Sequence, residues 1–99
     1  VLLTHSSALT LEHLESTFYT QGFQKFADSD FAALGLTPDE ITALKSVGET
    51  ESTHVTQLSA AITAAGQTPV QPCIYNFGFT NAANMVQTAR VLEAVGISA

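Results

Sequence analysis

An all-α, up-down helical bundle with a crossover loop is the fold class this sequence predicts, because the helical period recurs along it three times. Between residues 38 and 65, Ile41, Leu44, Val55, Leu58 and Ile62 fall on a single stripe. Residues 6–26 repeat the pattern with Ala8, Leu11, Leu14, Phe18 and Tyr19. Residues 80–96 carry it again, with Ala82, Val86, Ala89, Glu93 and Ile97 in line and Met85, Leu92 and Gly96 beside them. A length of 99 residues provides for one domain with one core and is too short for two.

The first helix is expected to start at Leu3 or Ser6 and to run to about Phe26. Gly22 weakens it by roughly 1 kcal/mol relative to alanine. Ala27-Asp28-Ser29-Asp30 closes it, with Asp28 or Ser29 placed to cap a short turn that reaches Leu34 and stops at Gly35. The second helix has the plainest start. Thr37 is its N-cap, Pro38 takes the first position, and Glu40 at the third completes a capping box with acidic charge at the positive end of the dipole. It should continue to residue 65 and stop at Gly66. Residues 67–79 contain Pro69 and Pro72 and no helical period, so they form a crossover long enough to travel the length of a bundle. Val70, Ile74, Tyr75, Phe77 and Phe79 predict that this crossover is packed, since so much apolar surface is not left in water. Thr80 or Asn81 then caps the third helix.

Nine acidic against three basic residues give a net charge of −6. Neither nucleic acid nor an anionic membrane would find a basic footprint here, whereas cationic partners, metal ions among them, are favoured. No apolar run approaches the length of a bilayer span, so the expectation is a soluble protein. The chain opens on Val1 with no signal peptide, which predicts a processed or partial polypeptide, and scarce lysine with abundant Ser and Thr leans toward a secreted one. The single cysteine, Cys73, has no internal disulfide partner. It is expected as a buried small hydrophobe, or else as a thiol whose partner lies in sequence outside this chain.

Chemistry enters at Gly48-Glu49-Thr50-Glu51-Ser52-Thr53-His54-Val55. Gly48 and Glu51 occupy the stripe positions between Leu44 and Val55, so a carboxylate sits where a helix should bury hydrocarbon. His54 follows one turn later on the same inward side. Burying an unpartnered carboxylate costs several kcal/mol, so Glu51 must be protonated, paired with a cation or bound to a metal. Only Lys25, Lys45 and Arg90 are available as side-chain cations. Glu-x-x-His is also an inward-facing ligand unit of di-iron and di-manganese helix bundles. On the first helix, Leu11, Glu15, Ala8, Tyr19 and Glu12 project within an arc of about 100°, which turns at least one carboxylate to the core. His13 points elsewhere and, like His5, is expected to be exposed or half-buried. Glu93 completes the set from the third helix, although Arg90 could hold it as an ordinary surface pair. Oxygen and imidazole donors without thiolate suit iron or manganese, with zinc also within range, whereas calcium and magnesium would not call for the histidine.

At this point the chain resembles the ferritin-like proteins, and within them the secreted desiccation-related and fungal stress-response branch. The resemblance is carried by Leu9-Thr10-Leu11-Glu12-His13-Leu14-Glu15-Ser16-Thr17-Phe18-Tyr19, Glu51-Ser52-Thr53-His54-Val55, Pro69-Val70-Gln71-Pro72-Cys73-Ile74-Tyr75-Asn76-Phe77 and Val91-Leu92-Glu93-Ala94-Val95-Gly96-Ile97-Ser98-Ala99. In that family the first-helix ligand is a Glu followed seven residues later by an aromatic, which matches Glu12 and Tyr19 and leaves Glu15 as the second choice. The resemblance further implies a bridging carboxylate at Glu51, the histidine ligand at His54 and a carboxylate ligand at Glu93. Its functional implication is a ferroxidase that oxidises Fe(II) with O2, or a di-metal oxidoreductase acting on peroxide. The competing expectation is a metal-free structural or interaction protein of the stress response on the same scaffold. No nucleophile elbow, phosphate loop or dinucleotide fingerprint supports another enzyme class. Many members carry a further Glu-x-x-His on a fourth helix, which these 99 residues do not reach. Three helices of this amphipathic width should leave an apolar groove, to be closed by a fourth helix from missing sequence or by a homodimer partner.

Overall fold

A computed structural model describes the backbone of residues 2–98 and the side chains of residues 5–95. Four helices follow one another along the chain: α1 (Leu2–Lys25), α2 (Asp28–Ala32), α3 (Pro38–Ala64) and α4 (Ala82–Ser98). No strand occurs among the described residues, so the chain is the all-α bundle expected, with α2 as a one-turn addition. Among the described residues no helix is long and apolar enough to cross a membrane.

Local chemistry accounts for the ends of α3. Thr37 Oγ1 accepts from the Glu40 N–H at 3.1 Å, and Glu40 Oε1 accepts from the Thr37 N–H at 2.9 Å, which is the capping box in both directions. At the other end Gly66 takes φ +81°, its N–H donates to Thr63 O at 3.0 Å, and the Gln67 N–H reaches Ile62 O at 3.1 Å. This paired arrangement satisfies two of the last carbonyls, and the positive φ is what calls for glycine. Asn81 Oδ1 caps α4 by accepting from the Asn84 N–H at 2.8 Å. The short α2 departs from expectation, since neither Asp28 nor Ser29 caps it. Asp30 instead turns its carboxylate back onto the Ala27 N–H at 2.9 Å. Its Phe31 is fully buried and plugs one end of the bundle, a core role that the reading of this stretch as a turn did not include.

α1 and α3 are antiparallel: Tyr19 packs on Gly48, while Glu12, two turns earlier, lies beside His54. α1 is antiparallel to α4 as well, for Gly22 packs on Met85 and Tyr19 reaches Glu93. α3 and α4 therefore run in the same direction, and residues 67–81 have to return along the bundle to join them. They do so beside α1, where Val70 O accepts from His13 Nε2 at 2.9 Å, Phe77 and Phe79 pack on Phe18, and Phe79 O accepts from Lys25 Nζ at 3.2 Å. An extended segment turns alternate side chains to one side. Tyr75, Phe77 and Phe79 accordingly stack in a row against the helices, whereas Ile74 points outward and is fully exposed. The packing expected of Ile74 and Val70 is thus corrected. So is the buried place expected for Cys73, which is exposed beside Ile74. His13 moves the other way, to 9 % exposure, because the crossover covers the flank of α1 that the helical projection left to solvent. Ile97, expected on the α4 stripe, and Gly96, expected beside it, lie outside the described side chains.

The two helix-contact glycines are unequal. A Cβ on Gly22 would meet the thioether end of Met85, which can swing aside. A Cβ on Gly48 would stand 2.7 Å from Tyr19 Cβ, where little can move without parting the helices. The better helix propensity of alanine returns roughly 1 kcal/mol at either position. Gly48→Ala is expected to destabilise the protein by about 1–2 kcal/mol net, and Gly22→Ala to be close to neutral. Urea denaturation of the two variants checks this, and equal midpoints would contradict it.

Candidate metal centre

The central side chain is Glu51, on the face of α3 that α1 covers, and only 7 % exposed. One turn along, His54 places Nδ1 3.9 Å from Glu51 Oε1 and 3.4 Å from Glu12 Oε2 on α1. Glu12, Glu51 and His54 each offer a ligand atom within 4.8 Å of the others. A second group of the same tightness consists of Glu15, Glu51 and Glu93. The residues singled out in the sequence are therefore divided between two groups that share Glu51. Glu93 lies with Glu15 rather than with His54, and Glu12 and Glu15 each fall in one of the two groups. Arg90 is exposed and, among the described residues, forms no ion pair with Glu93.

α1 supplies both carboxylates because it faces two neighbours. Three residues advance a helix by about 300°, or 60° short of a full turn. That step sets Glu12 toward His54 on α3 and Glu15 toward Glu93 on α4. The Glu12 side is open to water through a cleft of about 420 Å³ lined by Glu12, His54, Gln57, Leu58 and Ala61. On the other side Glu93 and Tyr19 line a cleft of about 620 Å³ between α3 and α4, with Leu36, Leu44, Val47 and Val86 among its apolar walls.

The electrostatics follow from carboxylates crowded out of water. Burial pushes Glu12 up to about 8 and Glu15 up to about 9, and a hydrogen bond shared with Glu51 and the repulsion of neighbouring charges push the same way. For Glu51 burial works upward too, but the bonds from Glu15 and Glu12 and the adjacent His54 outweigh it and hold the group below the ordinary range. As three carboxylates, Glu12 Oε2, Glu15 Oε1 and Glu51 Oε2 are buried without any hydrogen-bond donor. Protons on Glu12 and Glu15 would make those two the donors and Glu51 the acceptor. The orphaned oxygens also fit metal binding, since cations held by Glu12, Glu51 and His54 and by Glu15, Glu51 and Glu93 would give these buried carboxylates partners. The donor set of oxygen and one imidazole suits iron or manganese, or zinc.

Gly48 gives Tyr19 its place against α3, and from there the Tyr19 hydroxyl donates to Glu93 Oε1 at 2.9 Å. Burial, the bond to Glu93 and that carboxylate's charge all raise the phenol above its ordinary value, so it stays a donor. Tyr19→Phe leaves Glu93 Oε1 without this partner. The expected result is a stability loss of about 0.5–1.5 kcal/mol by thermal denaturation, and metal binding weakened roughly 10- to 100-fold if Glu93 is a ligand.

Compared with known families, the chain matches the sequence model described as a ferritin-like domain, over residues 4–99. No curated protein matches it.

Proposed function

This chain belongs to the ferritin-like domain family, and on that premise we propose that it binds non-haem iron or manganese through Glu12, Glu51, His54 and Glu93, with Glu15 joining Glu93 on the α4 side of Glu51. The observation that carries the reading is the meeting of Glu12, Glu51 and His54 around buried oxygens that no donor satisfies. The activity proposed with it is oxidation of Fe(II) as substrate, in a secreted, stress-protective setting. Two Fe(II) ions give up one electron each, and O2 takes both with two protons to leave as hydrogen peroxide. Glu12, Glu51 and Glu93 contribute hard, anionic oxygens that favour Fe(III) over Fe(II). His54 adds one imidazole donor at the half-exposed side, while Glu51 itself is buried from water. The cleft between α3 and α4 is where a fourth helix of a longer polypeptide, or a second copy of the chain, would complete the bundle.

Anaerobic Fe(II) loading of the metal-free protein, followed by admission of air with absorbance recorded, tests the reading. Stoichiometric binding and oxidation faster than in buffer are expected. Absence of both would end it. A metal-free scaffold is the second reading, favoured by the bond that Glu93 already accepts from Tyr19 and by the ability of Glu12 and Glu15 to share protons with Glu51. Under it, Glu51→Gln raises the melting temperature and added metal changes nothing. Under the metal reading, the same variant loses the stabilisation that metal confers on the wild type.

A further inference from the structure

We infer that the cleft between α3 and α4 is a binding site for an amphiphile of the fatty-acid class, with the hydrocarbon tail along its apolar walls and the carboxylate held by Arg90. Nothing in this site needs a metal ion, so it stands apart from the groups around Glu51.

The cleft exists because α3 and α4 both pack on α1 and leave a gap between themselves. Its volume of about 620 Å³ falls within the roughly 300–1,000 Å³ usual for small-molecule sites. Leu36, Leu44 and Val47 line one wall, and Val86 and Ala89 the other. From Pro38 to Val47 the α3 wall is about 14 Å long, which suits an extended alkyl tail rather than a compact ring. The polar groups of the lining are largely engaged already. The Tyr19 hydroxyl donates to Glu93 Oε1 at 2.9 Å, and Glu40 Oε1 accepts from the Thr37 N–H at 2.9 Å. A polar ligand body would find few partners there, whereas hydrocarbon gains by leaving water.

Arg90 supplies the head-group contact. It lies one turn beyond Val86 on the same side of α4, at the exposed edge of the cleft. Lys45 is engaged with Asp28 at 2.7 Å and Lys25 with Phe79 O at 3.2 Å. Among the described residues Arg90 is the one side-chain cation without an ion pair or hydrogen bond. Its planar fork matches a carboxylate. At a net charge of −6 the surface repels anions in general, so a carboxylate lacking a tail gains little here, and a tail lacking a carboxylate forgoes Arg90. A helix laid on the same walls would have to bring its own carboxylate to Arg90; a fatty acid carries one.

Calorimetric titration of the metal-stripped chain tests this, in chelator, with laurate, decanoate and dodecyltrimethylammonium below their micelle concentrations. One laurate per chain is expected, bound roughly 10-fold more tightly than decanoate because two buried methylenes separate them. Arg90→Gln should weaken laurate by at least about threefold, and Arg90→Lys, which keeps the charge, by less. Ala43→Gln sets a longer polar chain into the cleft from an exposed position and should weaken laurate and decanoate alike. Circular dichroism with and without laurate confirms the helical fold. Laurate no tighter than decanoate, laurate unaffected by Arg90→Gln, or a cationic amphiphile bound more tightly than laurate overturns the site. So does a dimer that Ala43→Gln dissociates and laurate does not enter, which would give the walls to a second copy. Loss of laurate binding when the chain is titrated within a longer polypeptide would likewise overturn it in favour of a covering helix.

Discussion

Glu51→Ala is expected to abolish metal uptake on both sides of α3 in one step, whereas Glu12→Ala, His54→Ala and Glu93→Ala each strip one group. The reason is positional: Glu51 alone belongs to both groups. Losing a shared anionic ligand should weaken binding by at least about 100-fold at each side, above the range seen for outer-shell changes. The variant also leaves the carboxyls of Glu12 and Glu15 without their common acceptor, which adds a stability loss of about 1–3 kcal/mol. Glu51→Gln separates the two effects, because the amide oxygen still accepts a hydrogen bond while the anionic charge is gone. Calorimetric titration with Mn2+ and Zn2+, set beside urea denaturation, reads both. Undiminished binding in Glu51→Ala would mean that the ions sit elsewhere on this acidic surface.

What was legible in the sequence was whatever depends on a few neighbouring residues. Thr37, Pro38 and Glu40 make the α3 start by themselves, and Gly66 its end, so both fell where expected. Glu51 was legible because a carboxylate interrupts an apolar stripe, and a stripe is a local pattern. The pairing of Glu12 and Glu15 was not. Helical projection put Glu15 near the middle of the inward arc and Glu12 at its edge, yet family resemblance ranked Glu12 first. Treating them as rivals assumes that α1 has one buried face. In the fold it has three, one against α3, one against α4, and one beneath the crossover, where His13 meets Val70 O. Which helix lies over which flank depends on residues far apart in the chain, and no single-helix projection contains it. The exposed Ile74 has a simpler cause. Composition said that the crossover packs, but period-two alternation decides which of its apolar side chains do, and Tyr75, Phe77 and Phe79 hold the inward parity.

Metal-free protein should lose stability as pH rises from about 5 to about 9, while the gain in stability from added metal widens over the same span. Glu12 and Glu15 titrate near 8 and 9 in the folded chain, against 4.5 when solvated. Between those limits the unfolded chain has released its protons and the folded chain still holds them. Raising the pH therefore favours unfolding, and this contribution is complete only above the folded values. Glu51 is shifted the opposite way, so its contribution changes only below the ordinary carboxylate range and leaves this window untouched. A metal ion must displace the same protons, and each one displaced raises affinity by up to about tenfold per pH unit below the corresponding folded value. Filling both groups displaces two protons, so uptake should steepen to about 100-fold per unit near pH 7 and level off above pH 9. Glu15→Gln, which has one proton fewer to displace, should follow about half that slope on a logarithmic scale. Thermal melts from pH 5.5 to 9, with and without Mn2+, measure both halves of the prediction. A metal-free melting temperature that stays flat between pH 6 and 8 would show the carboxyls already ionised there, and the proton-sharing arrangement around Glu51 would have to be abandoned.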